Sequence, residues 1–445
     1  MYYFVLANEV RAELPCMKME INMKRRVVIT GLGTVNPTGN SVAESWESIK
    51  NGKIGIGEIT TFDTTDFKAK VAAEVKDFDP ASRLDKKELR HIARYTQLAM
   101  YAAEEAIQDA GLCKPSEGEY TFNTPVSEIP ADRCGVIVSS GIGGLDIIEQ
   151  QHSRMVEKGN NLVSPFFVPM AITNMAAARI AISHGFKGMC TCPVTACAGG
   201  SNAIGDSFLR IRDGYEDVMI CGGTESTITP LGIAGFQNMK ALSDSTDPAR
   251  ASIPFDKDRN GFVMGEGSGI LVLEEYEHAV NRGAHIYAEI VGYGSNCDAY
   301  HITSPSPNGE GGAACMKLAI KDAGITEGDI DYINAHGTST SLNDKYETAA
   351  IKTVFGEKAK DLYVSSTKSM TGHLLGGAGG VEAVFSVKAL EDGFVPPTAG
   401  LEETEPEMDL NYVPKKGVEA NLKYVLSNSL GFGGHNACLI FKKAE

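Results

Sequence analysis

Cys197 lies in the run Val194-Thr195-Ala196-Cys197-Ala198-Gly199-Gly200, a sulfur among small side chains. Helical spacing begins just after it (Ala198, Ala203, Ile204, Phe208, Leu209) and runs to a glycine stop at Gly214. Unpaired N–H groups and the positive end of a helix dipole at such a position favour thiolate over thiol. Small neighbours also leave a substrate room to reach the sulfur. Taken alone, the pattern equally fits an inert core cysteine. Three later segments change its meaning. His336 follows an apolar run in Asn334-Ala335-His336-Gly337-Thr338-Ser339-Thr340, and Lys368 and His373 follow another in Ser365-Ser366-Thr367-Lys368-Ser369-Met370-Thr371-Gly372-His373. A third run ends in Ser427-Asn428-Ser429-Leu430-Gly431-Phe432-Gly433-Gly434. Four loops thus offer a thiol, two imidazoles, an ammonium and a glycine turn. That set suffices for acyl transfer: a nucleophile, donors for an enolate and backbone N–H groups for an oxyanion. Zinc is the rival for cysteine and histidine, with Cys190-x-Cys192 close by, but no short-spaced histidine pair accompanies them. Gly376–Gly380 lacks the Gly-Lys-Ser/Thr ending of a phosphate loop and reads as close helix packing behind His373.

Each of these loops must be held at the end of a strand. Strands are expected near 26–30, 134–139, 217–221 and 269–274, with helices near 41–51, 88–109 and 198–212; Ser41-x-x-Glu44 makes a capping box for the first helix. Further strands are expected near 286–292, 331–335, 362–366, 424–428 and 436–442, with helices near 310–323, 343–355 and 377–391. The two sets echo each other. Val27–Gly33 corresponds to Ala288–Gly294, each an apolar strand ending in Gly-x-Gly, and Ala106–Leu112 corresponds to Ala319–Ile325, each a helix end with a glycine cap. Asp213-Gly214 and Asp392-Gly393 close two more helices in matching places. The expected architecture is therefore α/β with two pseudo-symmetric βαβ-rich halves. Residues 23–283 carry the nucleophile and residues 284–445 carry His336, Lys368 and His373. Two mixed sheets, with helices between and outside them, would place the strand-end loops in a shared cleft.

Bulk properties narrow the class. The 445 residues are 43% hydrophobic and 22% charged, as in soluble globular proteins, and no apolar stretch approaches the ~20 residues of a membrane span. A net charge of −16 argues against nucleic acid as the partner. Ten cysteines without framework spacing suit a reducing, cytoplasmic setting. Residues 1–22 contain Glu9, Glu13 and Glu20 and lack the basic-then-apolar order of a secretory signal. Met23-Lys24-Arg25-Arg26 opens a strand, so the folded part is expected to begin there, with residues 1–22 a disordered extension or a non-native start.

These motifs resemble the elongating β-ketoacyl-[acyl-carrier-protein] synthases, the synthase II type most of all, over about Met23 to Lys443. Ser164-Pro165-Phe166-Phe167-Val168-Pro169 and Gly261-Phe262-Val263-Met264-Gly265-Glu266-Gly267 belong to the same likeness. The resemblance implies a thiolase-type five-layer αβαβα fold and a homodimer. It implies decarboxylative Claisen condensation of malonyl-[acyl-carrier-protein] with an acyl thioester on Cys197. His336 and His373 would bind the malonyl thioester carbonyl, Lys368 would act as a fixed charge, and Glu382 and Asp344 would support them. Backbone N–H groups of Cys197 and Phe432 would form the oxyanion hole, with Phe432 also a gate. Ile142, Phe236, Thr338, Thr340 and Gly433 would line the acyl pocket or touch substrate, ordinary packing being the other reading of Ile142. No organic cofactor is implied. A structural Na⁺ or K⁺ would sit at Asn334, Glu382, Ser427 and Asn428, where a plain hydrogen-bond network is the alternative.

An acidic carrier protein requires a basic docking face despite the net charge, and Lys86, Lys87, Arg90 and Lys240 match it. His91 stands where the family often has another basic residue, and Ala198-Gly199 replaces a Thr-Ser pair common in relatives. A polyketide or specialised-lipid ketosynthase remains open on these motifs. Initiating synthases pair histidine with asparagine, thiolases use a second cysteine, and non-catalytic partner subunits lack the nucleophile.

Overall fold

The computed structural model describes residues 24–112 and 129–444; the expectation for residues 1–22 falls outside them. Ten strands form the main sheet: β1 (Val27–Val35), β2 (Cys134–Ser139), β3 (Cys190–Thr191), β4 (Val218–Glu225), β5 (Gly267–Glu275), β6 (Ala288–Cys297), β7 (Tyr332–Asn334), β8 (Tyr363–Ser365), β9 (Tyr424–Gly431) and β10 (His435–Lys443). Their order is β3-β2-β4-β5-β1 followed by β6-β10-β9-β7-β8, so the second five repeat the first. The strand directions repeat as well: β1·β5 and β4·β5 are antiparallel and β2·β4 and β2·β3 parallel, matched by β6·β10, β9·β10, β7·β9 and β7·β8. The two halves join where Val27–Ile29 of β1 pairs antiparallel with Ala288–Ile290 of β6, so the two mixed sheets expected from the sequence are hydrogen-bonded into one. The continuous apolar run Val27-Val28-Ile29 is fully buried, as a strand covered on both faces must be.

Six helices complete the layers: α1 (Arg94–Asp109), α2 (Met175–His184), α3 (Gly199–Arg212), α4 (Glu310–Ala323), α5 (Ser341–Phe355) and α6 (Ala378–Asp392). Helix α1 packs on β1 and β5, and α2 packs on β2, covering the outside of the first half. Helix α4 packs on β6 and β10, with α5 beside it, covering the second. Helices α3 and α6 meet each other in the middle, α3 against β2 and β4, α6 against β4, β5 and β9. Every residue of α6 from Ala378 to Val387 is buried, as a helix apolar on all sides must be. A Cβ on Gly200 would lie 2.7 Å from the Gly380 nitrogen, and one on Gly380 would lie 2.2 Å from the Gly269 carbonyl oxygen. The glycine run after His373 is therefore close packing, as expected from the sequence.

Local departures have local causes. The helix expected over 88–109 starts only at Arg94, because Ile92 and Ala93 are extended and buried while Leu89–His91 forms a separate 3₁₀ turn. Lys86, Lys87 and Arg90 consequently lie on the approach to the helix and not in its first turn. Helices over Leu145–Lys158, α2 and Pro230–Asn238, and the two-residue strand β3, were not anticipated. The helix over Leu145–Lys158 buries only Leu145, Ile147 and Gln151, although its apolar residues recur with a helical period that the sequence reading passed over.

Candidate active site

The chain reaches Cys197 through Ala196, whose φ of +49° is costly for a residue with a Cβ. This sharp turn begins the 3₁₀ segment Ala196–Ala198 and presents the sulfur at the foot of α3. His336 follows β7 directly, and Lys368 and His373 follow β8. Tertiary packing brings them together. His373 Nε2 lies 3.1 Å from Cys197 Sγ, and the two imidazoles meet edge to face with centroids 5.3 Å apart. Lys368 Nζ donates to the His336 carbonyl at 2.7 Å, approaches His336 Nδ1 at 3.3 Å and pairs with Glu382 Oε1 on α6. All five side chains are buried.

Their electrostatics follow from that burial. Burial, with Lys368 and the neighbouring imidazole, holds His336 well below the usual histidine range. Burial and Lys368 do the same to His373, so both rings are neutral at physiological pH. Burial also pushes the Cys197 thiol up to about 11, against the opposing pull of the Lys368 charge and of the Phe432 N–H. The expectation of a resting thiolate is thereby overturned. Donor atoms of Cys197, His336 and His373 lie within 4.8 Å of one another, close enough for a soft metal. Lys368 argues otherwise: by donating toward His336 Nδ1 it makes that nitrogen an acceptor, and the ring hydrogen resides on Nε2. His336 is thus built as a hydrogen-bond donor.

A cavity of about 530 Å³ opens onto the sulfur. Ile142, Phe236, Thr338, Thr340 and Phe432 line it together with the two histidines, as anticipated. Phe432 lies between Gly431 and Gly433, its ring centroid 6.4 Å from that of Phe236. A Cβ on Gly431 would come within 3.2 Å of the Cys197 nitrogen, so glycine lets the Phe432 N–H approach the nucleophile. Gly433 departs from expectation. At φ +84° it turns the chain away, donates its N–H to the Ile302 carbonyl at 2.8 Å and does not line the cavity. Asp344 accepts the Phe255 N–H at 2.8 Å and touches no reactive group. Lys240 is exposed at the cavity, while Lys86, Lys87 and Arg90 are exposed but away from its lining. Asn334, Glu382 and Ser427 are buried, and the amide of Asn428 donates to Glu347 at 3.3 Å.

Two buried carboxylates escaped the sequence reading. Glu347 on α5 accepts the N–H groups of His336 and Gly337 at 2.7 and 2.8 Å, fixing the histidine loop, and burial pushes its carboxyl up to about 7. Glu225 at the end of β4 accepts from Ser140, Gly141, Ile142 and Gly376. An acid closing an apolar strand, or on the inward face of a helix, was the available signal.

Comparison with known proteins decides the family. Models of the N-terminal and C-terminal domains of β-ketoacyl synthases match residues 24–279 and 287–402. The chain belongs to the β-ketoacyl synthase family. It is 51% identical over 423 residues to 3-oxoacyl-[acyl-carrier-protein] synthase 2 of Synechocystis sp., covering 95% of this chain and 99% of that protein. It is 50% identical to the synthase 2 of Staphylococcus aureus, covering 96% and 100%. Among solved structures, the β-ketoacyl synthase of Burkholderia phymatum superposes with a TM-score of 0.85 at 34% identity, over 95% of this chain and all of that one. A type II polyketide ketosynthase solved in complex with its acyl carrier protein gives 0.86 at 36%, with the same coverage. The five-layer thiolase-like α/β architecture is shared with these ketosynthases.

Proposed function

We propose that the protein is an elongating 3-oxoacyl-[acyl-carrier-protein] synthase of fatty-acid synthesis, acting in the cytoplasm as a homodimer. The observation carrying this reading is the contact of Cys197 Sγ with His373 Nε2 beside a His336 fixed as an Nε2–H donor. In the loading step, Cys197 sulfur attacks the acyl thioester, the carrier's C–S bond breaks, and the thiol proton leaves with the departing carrier thiol. Malonyl thioester then binds with its carbonyl against the imidazoles, loses CO₂ and leaves its electron pair as an enolate. The enolate carbon attacks the acyl carbonyl. The resulting oxyanion is received by the Cys197 and Phe432 N–H groups, and collapse expels the Cys197 sulfur, which regains one proton from solvent.

Identity near 50% to two fatty-acid synthases, against 36% to the polyketide enzyme, favours fatty-acid elongation over specialised-lipid synthesis. Exposed Lys86, Lys87, Arg90 and Lys240 supply the docking charge for an acidic carrier protein, whose KM should rise with salt. A monovalent cation would fit within the second half, where among the described residues Asn334 Oδ1, Glu382 Oε2 and Ser427 Oγ are buried without hydrogen-bond partners. The ion would balance buried charge behind the histidines, and a higher Tm in K⁺ or Na⁺ than in choline would register it. The deciding experiment is Cys197→Ala with acyl- and malonyl-carrier thioesters. Condensation should vanish while malonyl decarboxylation persists; continued elongation would remove Cys197 as nucleophile.

A further inference from the structure

One buried carboxyl close to the reaction centre has no part in the chemistry above. Glu225 ends β4 fully buried, and among the described residues no ion pair reaches it. Its Oε1 accepts from Ser140 Oγ at 3.0 Å and the Ile142 N–H at 3.2 Å; its Oε2 accepts from the Gly141 N–H at 2.8 Å and the Gly376 N–H at 3.1 Å. Ser140 Oγ in turn accepts the Gly143 N–H at 3.1 Å, so the whole turn wraps the carboxylate. Four donors converge on two oxygens, an arrangement that suits a carboxyl group accepting at both. A glutamine amide would set its NH2 against at least one backbone N–H donor whichever side it faced.

The two segments so joined serve different halves of the reaction. Ile142 walls the cavity where the acyl chain on Cys197 would lie, and Gly376 directly follows the cavity-lining Leu375, three residues after His373. Their close approach requires a glycine: a Cβ on Gly376 would lie 2.4 Å from the Gly141 nitrogen and 2.9 Å from Glu225 Oε2. We propose that Glu225 is a positioning residue that pins the Ile142 wall of the acyl pocket to the turn behind His373, and thereby sets which acyl chain lengths the enzyme accepts. The inference rests on the condensing-enzyme reading.

The test is Glu225→Gln, which keeps shape but replaces one accepting oxygen by a donor. Wild type and variant are assayed for kcat and KM with acyl-carrier thioesters of graded length, with malonyl decarboxylation measured alongside. The expected result is a change of at least about fivefold in the ratio of kcat/KM between the longest and shortest primers, larger than the change in decarboxylation. A uniform fall across primers, or none, would reduce Glu225 to a structural residue and overturn the proposal. Should Glu225→Gln not fold, Ser140→Ala removes one donor from Oε1 alone. A shift of about twofold in the same ratio then supports the proposal, and an unchanged ratio rejects it. The wild-type series separates the two readings: without condensation by wild type the functional reading fails, whereas condensation with an unaltered profile in the variants defeats only the role of Glu225.

Discussion

At the scale of single residues, two effects compete over the nucleophile. A helix N-terminus favours a thiolate by about 0.3–1 kcal/mol. Burial of Cys197 moves its thiol to about 11, which corresponds to about 3 kcal/mol against the anion. Burial wins, so the resting sulfur keeps its proton beside a neutral His373. Two consequences follow for pH dependence. Alkylation of Cys197 by iodoacetamide should climb close to tenfold per pH unit from 8 to 10, because only the thiolate reacts and the thiolate fraction is still rising there. Replacing Lys368 by methionine removes the charge that holds the thiol down, so alkylation at pH 9 should slow. Mass-spectrometric rates would check both, and a plateau below pH 8 would refute the assignment. The catalytic side chains were legible at this scale because sulfur, imidazole and ammonium at strand ends are chemically conspicuous. Glu347 and Glu225 were not, since an acid's role as acceptor for backbone N–H groups depends on which loops fold against it.

At the scale of elements, the central layer is the most demanding part of the design. Helices α3 and α6 cross at glycines, with the Gly200–Gly380 contact and the approach of Gly380 to β5 leaving no room for a side chain. Gly380→Val should therefore cost at least about 3 kcal/mol by overpacking, read as a lowered midpoint in denaturant unfolding. The same substitution at Gly283, where nothing lies within 4 Å of a Cβ, lacks the clash and should cost less, its φ of +70° being the remaining penalty. Strands and helices with strong periods or glycine caps were readable along the chain: α4 and α6 end at Gly324 and Gly393 in left-handed conformations, as their Asp-Ala-Gly and Asp-Gly endings indicate. Strand β3 was not, because a two-residue strand carries little pattern.

At the scale of the whole molecule, the duplication produces two half-sheets around one central helical layer, and one end of the first half is left open. Among the described residues strand β3 is paired on one side only; Ile182 of the neighbouring α2 and Val194, three residues beyond the strand, are each more than half accessible. An open strand edge flanked by apolar side chains is suited to a partner, and in the proposed homodimer a second copy would supply the same surface under twofold symmetry. For the proposed homodimer, Ile182→Glu should shift the protein from dimer to monomer in sedimentation velocity; a persistent dimer would exclude this face.

The order of residues alone determined the reaction class, the duplicated α/β plan and the identity of the sulfur, imidazoles and lysine, since each depends on residue type and local spacing. Tertiary structure decided the protonation of Cys197, the donor form of His336, the outward turn of Gly433 and the two carboxylates that hold the loops. Those properties arise from burial and from contacts between segments far apart in the chain, such as Cys197 and His373 at a separation of 176 residues, which no local pattern encodes.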